Sequence, residues 1–417
     1  MELCDLSFPL SAIGAFVLVL SLFLSLGRYS RSRFLSGGKP AAALMILVCI
    51  LVAVEGTWKL ELMHRLVFLV PMLLLIVVLG WCAFDAIARK RSLSFILTHL
   101  GLFLILSGGF FGAPDFSSAS MIVTRETESS QAVSRDGFAV PLGFSVKLEE
   151  FGIDFYDDGV SPKQYSSTLV VDGEEKVTAV NRPCRHKGWL IYQSDYGEGY
   201  SVIRLVRDPW LPVVFLGMLL LALGAVLELK RTWHSPRVLL LVIVLAVVFG
   251  VISLAKISFG TLMPALRSLW FVPHLIIYML AYSILALALV LCFVPRQTSL
   301  ELASRLLGTA SSLLVIGMLC GAVWAKMAWG DYWTWDAKEC WAAVTWILTL
   351  VGTHLPVRRS RARLGAVILA AFLAMQVTWY GVNYLPSAHY SMHTYNSSYE
   401  KTDSFVAPVP GIRRLSP

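Results

Sequence analysis

The sequence predicts an all-α polytopic membrane protein of about ten transmembrane helices, with one small β-rich exported domain. Three observations lead there. Hydrophobic residues make up 57% of the 417 and charged residues only 15%, and a mean hydropathy of +0.69 excludes an ordinary soluble domain. Ten apolar runs reach or approach the length of about 20 residues that a bilayer core requires. One long segment, 113–207, has no such run and alternates apolar with polar residues instead.

The runs fall near 8–27, 41–57, 66–87, 93–112, 208–229, 237–257, 271–294, 306–326, 340–356 and 363–383. The first begins MELCD, with no basic leader and no small-residue cleavage site, and is expected to be a retained span. Basic residues mark every second loop. Arg28, Arg31, Arg33 and Lys39 follow the first run, and Arg89, Lys90 and Arg91 the third. Lys230, Arg231 and Arg237 follow the fifth, Arg296 and Arg305 the seventh, and Arg358, Arg359, Arg361 and Arg363 the ninth. The positive-inside rule puts these loops in the cytoplasm and both termini outside. The formal net charge of +8 is thereby spent on membrane topology, and no nucleic-acid partner is expected.

Segment 113–207 then lies outside. Phe144-Ser145-Val146-Lys147-Leu148 alternates, and β-rich runs recur at Leu169–Val171, Lys176–Val180 and Trp189–Tyr192. Asp157-Asp158-Gly159 and Asp172-Gly173 supply turns between them. The expected organisation is a membrane region over 1–112, the exported domain over 113–207, a closing helix and cytoplasmic loop over 208–236, a second membrane region over 237–395 and an exported tail over 396–417. The seven cysteines form no CxxC pair and no zinc spacing, and most sit in or beside apolar runs as small buried hydrophobes.

The chain is organised around Trp324 to Trp346, WAKMAWGDYWTWDAKECWAAVTW, which holds six of the 13 tryptophans. One or two would be an aromatic belt at the membrane boundary. Six, interleaved with Gly330, Asp331, Asp336, Lys338 and Glu339, fit a broad aromatic platform for a large flat ligand better. The run WGDYWTWDAKECW resembles the tryptophan-rich WWD signature of the heme-handling proteins of cytochrome c biogenesis, in the CcsA/ResC form of system II. A second resemblance covers the exported segment. DFYDDGVSPKQYSSTLVV, VNRPCRHKGWLIYQSDYG and VRDPW look like the exported domain of the ResB (CcsB) partner of the same system, in shortened form. The chain thus resembles a compact natural fusion, ResB-like from about residue 60 through 236 and ResC-like over 237–395.

Of the eight histidines, four fall where topology makes them informative. His99 lies about seven residues into the fourth run, roughly 10 Å from its cytoplasmic end. His354 ends the ninth run at similar depth. A titratable side chain inside a span marks a site by default. The two are candidates to ligate one iron from opposite sides; the bland alternative is two separate rings bonded to backbone carbonyls. THLGL matches a ResB histidine, and TWILTLVGTH follows the tryptophan stretch as it does in ResC-type proteins. His274, in WFVPH, and His393, in SMHTY, flank the tryptophan stretch on the outer side. The family places one histidine on each side of the platform, and these two match by context. His393 is preferred to His389 because Met-His-Thr-Tyr is similar to the family's Leu/Met-His-Ser-Tyr. His64, His186 and His234 read as an interface residue, a solvated basic loop and a cytoplasmic loop residue.

The resemblance implies a cytochrome c synthase that attaches heme b to CxxCH motifs of apocytochromes c through thioether bonds. The substrate's own thiols add to the vinyl groups, so no catalytic residue beyond those that position heme is expected. Axial ligands would be His99 and His354 on the cytoplasmic side and His274 and His393 outside. Trp324, Trp329, Gly330, Trp333, Trp335, Asp336 and Trp341 would form the ring's binding surface. Asp336, Lys338 and Glu339 either contact propionates or the substrate, or form an ion pair that folds the loop. The implied setting is the bacterial inner membrane, with the 113–207 domain, the tryptophan loop and the tail on the periplasmic side. Implied partners are apocytochrome c, the thiol-reducing proteins that keep its cysteines reduced, and the lipid bilayer. Two alternatives compete: a heme-delivery or scaffold subunit without synthase activity, and a b-type electron-transfer cytochrome that holds heme permanently.

Overall fold

The computed structural model describes residues 38–232, 244, 262–355 and 360–390. Three helices come first: α1 (Gly38–Trp58), α2 (Leu66–Ala88) and α3 (Leu93–Gly112). Eight strands follow: β1 (Ser117–Thr124), β2 (Ser129–Ser134), β3 (Ala139–Phe155), β4 (Pro162–Val171), β5 (Glu174–Ala179), β6 (Cys184–His186), β7 (Trp189–Gly197) and β8 (Tyr200–Arg207). The chain then returns to helices α4 (Leu211–Thr232), α5 (Phe271–Phe293), α6 (Gln297–Trp329), α7 (Ala337–His354) and α8 (Arg361–Trp379).

Among the described residues, seven helices are long and apolar enough to cross a membrane, and the chain is a multi-pass membrane protein. α7 is the eighth helix and falls outside that group because Lys338, Glu339 and several threonines interrupt its apolar surface. Each expected span from 41–57 onward has its helix except 237–257, of which only Val244 is described; 8–27 lies outside the described residues.

One boundary differs in a way that matters. α6 was expected over 306–326 but runs for 33 residues, Gln297–Trp329, about 50 Å at 1.5 Å per residue against a hydrocarbon core of about 30 Å. Its polar ends hide it from an apolar-run count. It stops at Gly330, whose φ of +93° is a left-handed cap that suits glycine. Trp324 and Trp329 are therefore helical, and the irregular loop is Gly330–Asp336 and not the whole of 324–346. At the other end Asp336 caps α7: its Oδ1 accepts the Glu339 N–H at 2.8 Å, and Glu339 Oε2 accepts the Asp336 N–H at 3.3 Å.

The helices form two large apolar cores, with smaller clusters beside them. Leu285, Leu307, Leu314, Leu364 and Ile368 join α5, α6 and α8. Val48, Phe68, Ile76, Phe103 and Val344 join α1, α2, α3 and α7. α7 belongs to both, since Trp346 and Leu348 pack on the first core while Cys340 and Val344 sit in the second. α3 lies along α4, and Gly101 and Gly217 face each other with no room for a Cβ on either, the close backbone approach that membrane helices use.

The strands form one antiparallel sheet in the order β5-β4-β3-β2-β1-β8-β7-β6. A short connection joins β5 to β6, so the two edges must lie close, and the sheet curls on itself. Thr178 on β5 donates to the Ile191 carbonyl on β7 at 2.7 Å, and Ser167 on β4 to Gln193 Oε1 on β7 at 2.6 Å. Val146, Leu169, Ile191, Ile203 and Leu205 fill the interior. Asp172-Gly173 makes the β4–β5 turn with φ of +49° and +81°, the two left-handed residues of a type I′ hairpin. β1 and β8 pair along their whole length, from Ser117↔Arg207 to Thr124↔Tyr200. The entry and exit of the sheet are therefore adjacent, and Trp210 Nε1 donates to Asp115 Oδ2 at 2.7 Å across that junction.

Candidate functional site

Two places in the helical region gather the residues singled out by sequence. The first is the meeting of α3 and α7. Their helices bring the rings of His99 and His354 to a centroid separation of 6.3 Å with 58° between planes. Each histidine follows a threonine, and the two local structures are alike. His99 Nδ1 lies 2.8 Å from the Phe95 carbonyl and His354 Nδ1 2.8 Å from the Leu350 carbonyl. A carbonyl can only accept, so Nδ1 carries the proton on both rings and Nε2 carries the lone pair. Metal-ligating histidines are oriented in this way by their other ring nitrogen. Two imidazoles on opposite sides of one metal, with bonds of about 2.0 Å, bring their ring centres to about 6 Å. Each ring is bonded to a backbone carbonyl, as the bland alternative has it, and the two ring centres also lie close together. Phe95 stacks on His99 at 3.9 Å.

The second place is the tryptophan loop. Trp324, 4% exposed, is a structural ring: its Nε1 donates to the Ala265 carbonyl at 2.9 Å, and Phe271 lies 4.9 Å away. His274, in the first turn of α5, lies 6.2 Å from Trp324, ring centre to ring centre. Its Nδ1 donates to the Gly317 carbonyl on α6 at 2.7 Å, repeating the pattern of the first pair. Gly321 makes this possible, since a Cβ there would come within 2.8 Å of the imidazole. Trp329 meets Trp324 at 67° and 5.2 Å, Trp333 meets Trp335 at 82° and 5.8 Å, and Trp335 meets Phe68 of α2 at 79° and 5.5 Å. The rings are walls meeting edge to face, as their quadrupoles prefer, and not one flat sheet. Trp341 faces α1, where a Cβ on Gly56 would come within 3.5 Å of its Nε1.

The indole nitrogens of Trp333, Trp341 and Trp346 are buried without a hydrogen-bond partner. Buried donors of this kind call for an explanation, and a large aromatic ligand carrying carboxylates would meet both the rings and the donors. Asp336 is otherwise employed. It is 4% exposed and serves as the cap of α7, while Glu339 also accepts from the Thr334 N–H at 2.7 Å. The structure gives the pair a folding role through a capping box, where the sequence had offered an ion pair or a propionate contact. His393 lies outside the described residues, and of His389 only the backbone is described.

Several residues at the loop were missed by sequence reasoning. Arg204 of β8 donates to the Trp329 carbonyl at 3.0 Å and to Asp331 Oδ2 at 2.7 Å. Gly330 packs so closely on β7 and β8 that a Cβ would lie 2.8 Å from Val206 and 3.2 Å from Tyr192. Burial, and then the Asp331 carboxylate, pushes the Tyr192 phenol above its ordinary pKa. Just past the end of α1, Lys59 donates to the Trp335 carbonyl at 3.0 Å. Glu55, 1% exposed, lies 3.8 Å from Lys59 Nζ and accepts the Leu62 N–H at 2.9 Å. A carboxylate inside the apolar run 41–57 was the signal for it. Among the described residues, no group of three or more His, Cys, Asp or Glu could hold a metal ion by itself.

Comparison with known proteins agrees with this division. A model of the ResB-like family matches residues 88–203, and a model of the Cytochrome C assembly protein family matches 210–389. Among curated proteins, the cytochrome c biogenesis protein CcsA of Guillardia theta is 31% identical over 34% of this chain and 64% of its own length. CcsA of Chlamydomonas reinhardtii is 30% identical over 32% of this chain and 44% of its own. CcsA of Gloeobacter violaceus is 37% identical over 24% of this chain and 29% of its own. Each match spans less than two thirds of the relative. The two family matches stand in tandem here, a ResB-like match followed by a cytochrome c assembly match in one polypeptide, an arrangement consistent with a ResB–CcsA fusion of system II.

Proposed function

We propose that this protein acts in cytochrome c biogenesis as a system II synthase, taking heme b across the bacterial inner membrane and presenting it for attachment to apocytochrome c. The observation that carries the proposal is the His99–His354 pair. Two rings on different helices, each with Nδ1 tied to its own helix, face each other at 6.3 Å. Imidazoles so fixed are suited to hold a six-coordinate heme iron.

In this reading heme is the substrate. His99 and His354 receive it on the cytoplasmic side. It passes to His274, with His393 as second outer ligand, beneath the tryptophan loop on the periplasmic side. The path is long: Trp341 precedes His354 by 13 positions on α7, about 20 Å along the helix axis. Trp329, Trp333, Trp335 and Trp341 exclude water, and the indole N–H groups of Trp333 and Trp341 are offered to the carboxylates. The incoming CxxCH histidine displaces one outer ligand, and the two substrate thiols add across the vinyl groups, each proton going to the vinyl carbon not bonded to sulfur. The protein's contribution is position and orientation, with thiol-reducing proteins maintaining the substrate cysteines.

The test is co-expression with a CxxCH apocytochrome in a bacterium lacking its own maturation genes, with a heme stain after denaturing electrophoresis. A covalent band that disappears in His274→Ala and in His393→Ala is expected. Heme co-purifying with the parent protein but never attached would reduce the protein to a carrier.

A further inference from the structure

The loop Gly330–Asp336 belongs to the cytochrome c assembly segment, yet both cations that grip its ends come from elsewhere. Lys59 precedes the ResB-like match and Arg204 adjoins its end. At the start of the loop the Arg204 guanidinium forks, one nitrogen to the Trp329 carbonyl and one to Asp331 Oδ2, so that it straddles Gly330. Its Nε is itself aligned on Ser118 Oγ of β1 at 3.1 Å. At the end of the loop Lys59 holds the Trp335 carbonyl, with Glu55 behind it. Hydrogen bonds with a charged donor are roughly twice as strong as neutral ones.

Trp335 needs such a hold. Its φ is +58°, a left-handed conformation that a bulky residue keeps only when its surroundings over-determine it. Between the two grips, Glu339 fixes Thr334. The orientation of the Trp333 and Trp335 rings follows from these three anchors.

We propose that Arg204 and Lys59 are positioning residues, through which the N-terminal half sets the shape of the tryptophan loop that presents heme. The inference rests on the synthase reading of that loop. It makes the sheet domain and α1 parts of the outer site and not merely its neighbours. Arg204→Lys replaces a two-pronged grip by a single point of charge and retains part of the effect.

The experiment uses the full chain in lipid nanodiscs, with Arg204→Gln, Lys59→Met, Arg204→Asp, Asp331→Arg and the exchanged pair Arg204→Asp/Asp331→Arg. Three readouts are compared: hydrogen exchange of peptides covering 329–336, the absorption spectrum of heme held at His99 and His354, and the yield of attached heme. Exchange is expected to rise in Arg204→Gln and in Lys59→Met while the inner spectrum stays parental. Attachment is expected to fall on the order of ten- to a hundredfold, as small misplacements near reacting groups do. The exchanged pair is expected to recover attachment beyond either single reversal. Parental attachment in both variants overturns the proposal, as does loss of the inner spectrum in step with attachment, which marks general unfolding. If the parent attaches no heme, the synthase reading fails and exchange alone decides: unchanged exchange at 329–336 overturns the positioning claim, and raised exchange sustains it.

Discussion

His99 and His354 stand on helices from the two different family segments, and each donates an Nδ1–H hydrogen bond to the carbonyl four residues back on its own helix. The pair exists only when α3 and α7 are held on the apolar core they share, around Phe103 and Val344. Replacing either histidine by alanine should abolish the six-coordinate low-spin spectrum of heme bound there, and the double variant should add little to either single loss. Absorption spectra of the reduced, purified proteins check this. Full retention in one single variant would mean that the two rings do not share an iron.

Gly321 sets the place of His274. A Cβ at that position would lie 2.8 Å from Cε1 and Nδ1 of the ring, so Gly321→Val must displace the imidazole or the helix. Heme attachment should fall about tenfold or more, while the spectrum of heme at His99 and His354 stays unchanged. The two readouts come from one preparation, and equal loss of both would contradict the expectation.

Asp336 should behave as a helix cap. Asp336→Ala is expected to cost about 1 kcal/mol, read as faster hydrogen exchange over the first turn of α7. Asp336→Asn, which still accepts the Glu339 N–H, should restore most of that protection and leave heme binding intact. A binding defect in the asparagine variant without a change in exchange would instead place the carboxylate against the ligand.

The β4–β5 turn should be acid-sensitive only at low pH. Lys187, the Ser145 N–H and His186 hold the Asp172 carboxyl well below its ordinary value. A depressed acid gives its full stabilisation above its unfolded-state pKa and loses it as pH falls toward the folded one. The melting temperature of the sheet, followed by its infrared band, should therefore be higher in the parent than in Asp172→Asn at neutral pH. The gap should narrow below pH 3.8, the carboxyl's ordinary value. A gap that persists into strong acid would show that Asp172 acts by shape and not by charge.

Much of this architecture was legible because lipid imposes a simple code. Apolar length marked α1 to α5 and α8 within a few residues, and Asp172-Gly173 marked the turn between β4 and β5. α6 was read too short because length in apolar residues says nothing of a helix that leaves the membrane; Glu301 and Lys326 lie in its polar ends. β1 and β8 escaped notice because their partners are each other and the register between them is a long-range fact. The same limit governs the site. Histidines at matching depth announced themselves, since an imidazole in a span is costly. Arg204 and Lys59 did not, because what makes them matter is a carbonyl at Trp329 or Trp335, far along the chain.

Because Ser117 pairs with Arg207, the whole sheet hangs from the α3–α4 hairpin as an insert closed at its base. Such a pendant can be trimmed or extended without rearranging the helices that carry it. The freedom has one boundary. The face of β7 and β8 that meets Gly330 and Asp331 is tethered to the tryptophan loop. Deletions and grafts should therefore be tolerated at the far hairpins, such as β2–β3 and β4–β5, and refused on the strand pair beside the stem.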